Sequence, residues 1–435
     1  MDHSDASFEM IVTRSKVSLS PSCGSIITLG DGRLLWVWGQ GHAEGLPVMH
    51  NLSSDGGRTW TDPAPLRLKN GAEFRGVISP SLIRLSDGRL GMALTSSVAK
   101  GDHYLDRFSA QTFHVSPDEG QTWSEGVPVN QHIRHAHGES LAVDCLIRLS
   151  DGRLVLPCTK EVGPTPTPEN PKLCRLLGEG FTNPFAYNMG LAFTYYSDDE
   201  GQTWERSRNE AVVAIDRGLS GLSGMVEPQV AELADGRLLM LGRTSVGQIF
   251  RSYSLDRGES WLEAEPTGLP NRGPICMERI PDSDDLLAIC NQVSPWEGLI
   301  GVYRHRLTCA VSQDGGHSWG HRKNLESLDD VSCIETPPVQ LYVAGPICQP
   351  LDRVRYHRAP APLRMDHPYC AFHEGDVIIV YGCGALGLRA VVEKTYGMNY
   401  EELGARFGFE PHPSNPNKLL GTNKLRIEPI QWLYE

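Results

Sequence analysis

Glu227, Arg243 and Arg251 fall within one stretch of apolar runs and turns, and their types suit the recognition of an anion. A guanidinium presents forked N–H donors that match a carboxylate, and a neighbouring glutamate can orient a reacting group. An apolar run from Pro228 to Leu233 meets the turn Asp235-Gly236. A second run covers Arg237 to Leu241, and a third covers Ile249 to Ser254. Such runs read as antiparallel strands joined by hairpins. The first strand leaves Glu227, the second returns to Arg243 and the third departs near Arg251. All three residues are therefore expected at one end of the unit.

Other residues could move protons at the same end. His42 ends Gln40-Gly-His42 in a loop, and His367 stands between Asp366 and Pro368 with Tyr369 close by. Histidine and carboxylate side chains suit general acid–base work. Arg75 offers a third contact to an anion. His132, His135 and His137 have ligand-like spacing but lack the partner of a zinc motif. His135 and His137 therefore read as substrate-binding residues of a polar cleft loop, and no metal site is assigned.

Two repeats position these residues. The pattern Ser-x-Asp-x-Gly-x-Ser/Thr-Trp occurs five times, at Ser53–Trp60, Ser116–Trp123, Ser197–Trp204, Ser254–Trp261 and Ser312–Trp319. Its Asp can bond backbone N–H groups within the turn, its Gly tolerates φ > 0, and its Trp can wedge between sheets. Out of phase with it run the hairpins Leu29-Gly-Asp-Gly-Arg-Leu34, Leu85–Leu90, Leu149–Leu154 and Leu233–Leu238, with weaker versions at Ile280–Leu286 and Phe372–Val377. Six such units predict an all-β, six-bladed β-propeller spanning residues 1–435 as one domain. The sixth blade lacks the Asp turn. It is expected to be closed by the C-terminal Lys424–Leu433 and the N-terminal Phe8–Thr13, which would hide an open edge. Segments 161–190 and 345–368 interrupt the pattern near the ligand end. Ala390–Phe409 contains the one helical pattern, Tyr400-Glu-Glu-Leu-Gly-Ala-Arg-Phe407.

Five Asp turns with Leu-x-Asp-Gly-Arg-Leu hairpins between them resemble the sialidase superfamily, whose Asp-box (BNR) repeats decorate a six-bladed propeller. The resemblance implies an exo-acting hydrolase that uses three arginines on a sugar carboxylate, a Tyr nucleophile paired with a Glu, and an Asp acid/base. By that resemblance Glu227, ahead of Pro-Gln-Val-Ala-Glu-Leu, matches the Glu, and Arg243 matches the second arginine. The expected Arg-Ile-Pro is replaced by Ser20-Pro-Ser-Cys-Gly24. Gln40-Gly-His42 stands where the Asp is expected, and Asp366-His-Pro-Tyr369 stands where the Tyr is expected.

Three function classes follow: hydrolysis at an acidic sugar, β-elimination at a uronic acid in the manner of rhamnosyl-glucuronate lyases, and non-catalytic glycan binding. None requires a cofactor, and a structural Ca2+ on the propeller axis stays open. The net charge of −13 disfavours nucleic acid and anionic membranes as partners, leaving an acidic oligosaccharide. The first ten residues have no basic-then-apolar leader pattern. The 11 cysteines are scattered without a Cys-x-x-Cys pair, so a cytoplasmic protein with reduced thiols is expected.

Overall fold

All five Ser-x-Asp turns close through the same Ser, Asp and Gly hydrogen bonds, and in the first three the Trp also donates to the Gly carbonyl. In the second, Ser116 Oγ donates to Asp118 Oδ1 at 2.8 Å and accepts from Gly120 N at 2.8 Å. Asp118 also receives Thr122 N at 2.8 Å and Thr122 Oγ1 at 2.6 Å, and Trp123 Nε1 donates to the Gly120 carbonyl at 3.2 Å. The residue before the fixed glycine is left-handed in every copy: Gly56, Glu119, Glu200, Arg257 and Gly315 have φ of 68°, 55°, 59°, 60° and 68°. The tryptophans wedge across blades as expected. Trp204 packs on Phe113 of the preceding blade at 5.4 Å, and Trp261 Nε1 reaches Thr194 Oγ1 of its predecessor at 3.0 Å.

The computed structural model describes residues 7–14, 23–39, 46–99, 107–130, 139–162, 189–213, 215–216, 222–244, 247–294, 297, 304–329, 331–336, 363–384, 389, 392–393, 397–412 and 414–435. It is a six-bladed propeller of antiparallel sheets. The inner strands are Gly24–Thr28, Val77–Arg84, Glu139–Leu141 with Ile147–Arg148, Val226–Glu232, Cys276–Arg279 and Arg364–His373, in blades one to six. Blade six runs from Arg364–His373 through Asp376–Gly384 to Thr422–Pro429 and ends on Phe8–Arg14. Phe8 pairs with Ile427 and Ile11 with Lys424, so the two termini close the ring as the repeat count requires. Beyond Pro429 the chain leaves the sheet for a 3-10 turn, Ile430–Tyr434, so the expected strand to Leu433 stops four residues early. The helix is Tyr400–Phe407, capped by Asn399 accepting from Glu401 N and Glu402 N and ended by Gly408 at φ 71°.

In blade three the ladder between the second and third strands persists to Val162↔Met189, and 163–188 lie outside the described residues. Residues 364–368 belong to the blade-six inner strand, which shortens the expected insertion before it.

The core lies between blades, where Leu, Val, Ile and aromatic side chains of adjacent sheets are removed from water. Polar links add order to it. The Glu119 carboxylate receives Gly30 N of blade one at 2.9 Å and pairs with Arg84, while Glu200 takes Ser86 of blade two. At the next junction the charge is reversed, with Arg257 on Asp151 of blade three. Lys424, 3% exposed, joins Glu9 at 2.9 Å and Glu326 of blade five, which also accepts from Tyr381 Oη at 3.0 Å.

Burial works against the charge of each turn aspartate, yet the Ser/Thr hydroxyls and backbone N–H groups outweigh it and hold Asp55, Asp118, Asp199, Asp256 and Asp314 below the ordinary carboxylate range. A carboxyl depressed in the folded state stabilises it above the unfolded-state pKa, and that contribution fades as pH falls through the folded value. Urea midpoints should therefore drop in the acid below about pH 4, and Asp118→Asn should flatten the drop. An equal slope in the variant would refute this account.

Candidate active site at the inner-strand bulges

Four inner strands break their ladders at the same level with a residue in the left-handed region. These residues are Ser79 (φ 53°), Asp144 (φ 46°), Glu227 (φ 51°) and His367 (φ 46°), in blades two, three, four and six. In three of them a proline follows, Pro80, Pro228 and Pro368, and the register slips between Ile78/Ser81, Val226/Gln229 and Asp366/Tyr369. Proline lacks the N–H that a ladder would use, so a bulge tolerates it where a regular strand would not. A left-handed non-glycine residue costs about 1–3 kcal/mol, and such strain concentrates at functional sites.

Neighbouring blades hold these bulges in place. Leu82 N donates to Ser25 Oγ at 3.0 Å, and Leu146 N to Ser81 Oγ at 2.9 Å. Gln229 Nε2 donates to the Val143 carbonyl at 2.8 Å, and Glu227 N to Thr159 Oγ1 at 2.7 Å. Each bond crosses from one blade to the next, so the funnel lining is fixed by buried side chains rather than by loops.

Glu227 and Arg243 meet as expected, with Arg243 Nε 3.0 Å from Glu227 Oε2, both largely buried. His367 Nδ1 lies 3.0 Å from Asp366 Oδ1, which leaves Nε2 as its other proton-carrying atom. Asp366 is 3% exposed and also takes Arg304 on one oxygen and Arg364 on the other. Burial raises its pKa, but Arg304, His367 and Arg364 together hold it far below the ordinary carboxylate range. Asp366 is thus held as an anion beside His367, which does not suit it to the proton transfer expected of it. The buried Cys23 thiol is pushed up to about 12 by burial and next by the charge of Asp366, with a smaller push from Glu227. Both carboxylates are within electrostatic reach of that one sulfur, which ties the blade-four and blade-six halves to one funnel.

Three expected residues fall elsewhere. Tyr369 is fully buried, its Oη accepts from Trp36 Nε1 at 2.8 Å, and burial drives its pKa well above that of a free phenol. It cannot reach a substrate. The bulge at His367 is the reason: one extra residue turns His367 into the funnel and Tyr369 into the core. Arg251 pairs with Leu241, two residues below Arg243. Its guanidinium serves the Gly316 and His317 carbonyls at 3.1 and 3.0 Å and Glu265 at 3.1 Å. It braces blade five and is separated from the pair it was expected to join. Arg75 stands on an exposed linker beside Pro47 and pairs with Glu73 at 2.6 Å. His42, His135 and His137 lie outside the described residues.

Sequence reading missed Arg304, Ser79 and Asp144, and it set Arg364 in the segment leading into blade six at the ligand end without giving it a role. The recurring x-Pro at a fixed distance before the hairpin (Pro80 before Leu85, Pro228 before Leu233) was a usable signal for Ser79 and for the level of the bulges. Among the described residues, donor atoms of Glu297, His305 and Asp329 lie within 4.8 Å of one another, as in a metal site. The fully buried Arg306 already bridges both carboxylates, so a guanidinium supplies the cation there.

The model of the BNR repeat-like domain family matches residues 28–144 and 139–334. The chain belongs to that family. Its fold is that of the sialidase-like BNR propellers. A protein of unknown function from Dyadobacter fermentans is 15% identical over 97% of this chain and 98% of its own, with a TM-score of 0.59. The Hadza microbial sialidase Hz136 is 17% identical over 83% of this chain and 63% of its own, with a TM-score of 0.55. The intramolecular trans-sialidase from Ruminococcus gnavus, solved with oseltamivir carboxylate, is 13% identical over 86% and 92%, with a TM-score of 0.52. No curated protein matches the sequence. No helix among the described residues is long and apolar enough to cross a membrane.

Proposed function

We propose that this BNR propeller is an exo-acting enzyme that cleaves a glycosidic bond at a carboxylate-bearing sugar. The observation that carries this reading is the charge balance of the funnel. Arg243 pairs with Glu227, and Arg304 and Arg364 both pair with Asp366, so three guanidiniums meet two carboxylates in these ion pairs. A dry, preorganised cationic excess favours an anionic ligand. Sialidases and a trans-sialidase bound to a carboxylate ligand share the fold, which supports hydrolysis. In that chemistry His367 takes a proton from water as the oxygen attacks the anomeric carbon, the glycosidic C–O bond breaks and the departing sugar oxygen takes up a proton from solvent, with Asp366 steadying the imidazolium.

β-Elimination at a uronic acid has support of its own. With Tyr369 sealed in the core and Asp366 held as an anion, neither of them supplies the phenol nucleophile or the acid/base that hydrolysis of the sialidase type uses. Elimination needs only a base for the C5 proton and cations that neutralise the adjacent carboxylate, after which the C4–O bond breaks and C4=C5 forms.

Incubation with sialosides and with rhamnosyl-glucuronate oligosaccharides separates the readings. Sugar release without ultraviolet absorbance means hydrolysis, and release with the absorbance of an unsaturated uronate means elimination. Binding without turnover of either would leave a glycan-binding propeller. Arg243→Ala is expected to lower kcat/KM on the cleaved substrate by about 10–100-fold, and unchanged kinetics would remove Arg243 from the site.

A further inference from the structure

Asp144 occupies in blade three the bulge position that Glu227 and His367 hold in blades four and six. The carboxylates beside the other two bulges are matched to cations: Glu227 to Arg243, and Asp366 to Arg304, Arg364 and His367. No described arginine, lysine or histidine pairs with Asp144. Its partners are two serine hydroxyls. Ser81 Oγ donates to Asp144 Oδ1 at 3.0 Å while its own oxygen is taken by Leu146 N, and Ser25, whose oxygen is taken by Leu82 N, bonds the same carboxyl. The serine oxygens are thus spent on the backbone, and their protons are aimed at Asp144.

Asp144 is half-buried, whereas Ser25 and Ser81 are 1% and 0% exposed. The titratable groups that face it are Glu278 of blade five, Tyr369 of blade six and the thiols of Cys145 and Cys276. None brings a positive charge. Burial pushes Asp144 up to about 7, against the pull of the two serines, and pushes Glu278 up to about 8 with the help of Asp144. Two groups of one type, Asp366 and Asp144, are thereby driven in opposite directions within one funnel, the arrangement by which sites divide acid from base roles.

We propose that Asp144 forms the floor of the ligand site and, as a neutral carboxyl, donates a hydrogen bond to an oxygen of the bound acidic sugar, so that the ligand is held only while this proton is present. This rests on the acidic-sugar reading above and adds a specificity residue and a pH control to it. Loss of the proton removes the donor and places an unpaired anion beneath an anionic ligand.

Calorimetric titration of the whole protein with N-acetylneuraminic acid and with glucuronic acid tests this. For a midpoint near 7, whichever acid binds at pH 6 should bind about tenfold more weakly at pH 8. Asp144→Asn keeps a donor and cannot ionise, so its affinity should change little over that range. Equal pH slopes in the two proteins would overturn the role of Asp144 alone. Failure of both proteins to bind either acid at pH 6 would overturn the acidic-sugar reading, and the ligand role with it. A ligand-free control reads the proton directly. A carboxyl whose pKa is raised in the folded state costs stability as pH climbs through the interval between its unfolded and folded values. The Tm of the wild-type protein should therefore fall relative to Asp144→Asn between about pH 4 and pH 7, and parallel Tm curves would show an ordinary exposed carboxyl instead.

Discussion

His367→Ala is expected to lower kcat/KM on the cleaved acidic glycoside by roughly 10²–10⁴-fold, the range for loss of one general acid–base group. The fold should survive, since His367 is partly exposed and alanine keeps the Cβ that its left-handed backbone already accommodates. Asp366→Asn should produce a related but distinct defect. It keeps the shape of the buried residue, removes the anion that orients the imidazole, and leaves Arg304 and Arg364 without their shared partner. Its kcat should fall and its pH profile should move, while His367→Ala should abolish the limb of the profile that belongs to the histidine. Steady-state kinetics across pH with circular dichroism as the folding control decides this. A His367→Ala enzyme with wild-type kcat/KM would end the role assigned to that residue.

Lys424→Met is expected to cost about 3–5 kcal/mol of stability, the usual consequence of removing one member of a buried charged cluster. Methionine fills the volume of the lysine stem, so the loss reports the charge and not a cavity. Glu326 would be left 11% exposed with no ammonium opposite, still accepting from Tyr381. Because Lys424 also holds Glu9 of the N-terminal strand, the damage should centre on the seam where the ring closes. Urea unfolding measures the change, and hydrogen exchange should show Phe8–Arg14 losing protection first. A loss below about 1 kcal/mol, the value for an exposed pair, would show that the seam is held by its strand ladder alone.

The propeller was readable because its signals are local. Ser, Asp, Gly and Trp of each turn sit within eight residues, and the bonds that fix Asp118 all come from that span. Closure of blade six followed from counting hairpins, with no residue-level information needed. The pairing of Glu227 with Arg243 was equally accessible, since they face each other across one hairpin. Arg251 shows where strand direction runs out: it fixes which end a strand starts from, but not its register or which side a guanidinium takes. Arg251 sits at the level of Leu241 and reaches outward to the next blade's turn. Tyr369 fails for a related reason, because one bulge inverts every later residue of its strand. Arg304, Arg364 and Asp144 come from three separate blades, and their convergence depends on ring closure that no short window of sequence records.

The reversed junction between blades three and four has a consequence for how the ring assembles. Glu119 and Glu200 would each meet a backbone amide or hydroxyl on their neighbour's hairpin, whereas Arg257 meets Asp151. Ser150, freed from a turn glutamate, is taken instead by Glu232 through both its N–H at 2.7 Å and its hydroxyl at 2.8 Å. The hairpins share an aspartate at this place (Asp31, Asp87, Asp151), so what sets the junctions apart is the turn residue that approaches: a glutamate from blades two and three, and Arg257 from blade four. The charge of one turn residue thus distinguishes the fourth blade from the second and third at junctions built on a repeated apolar packing.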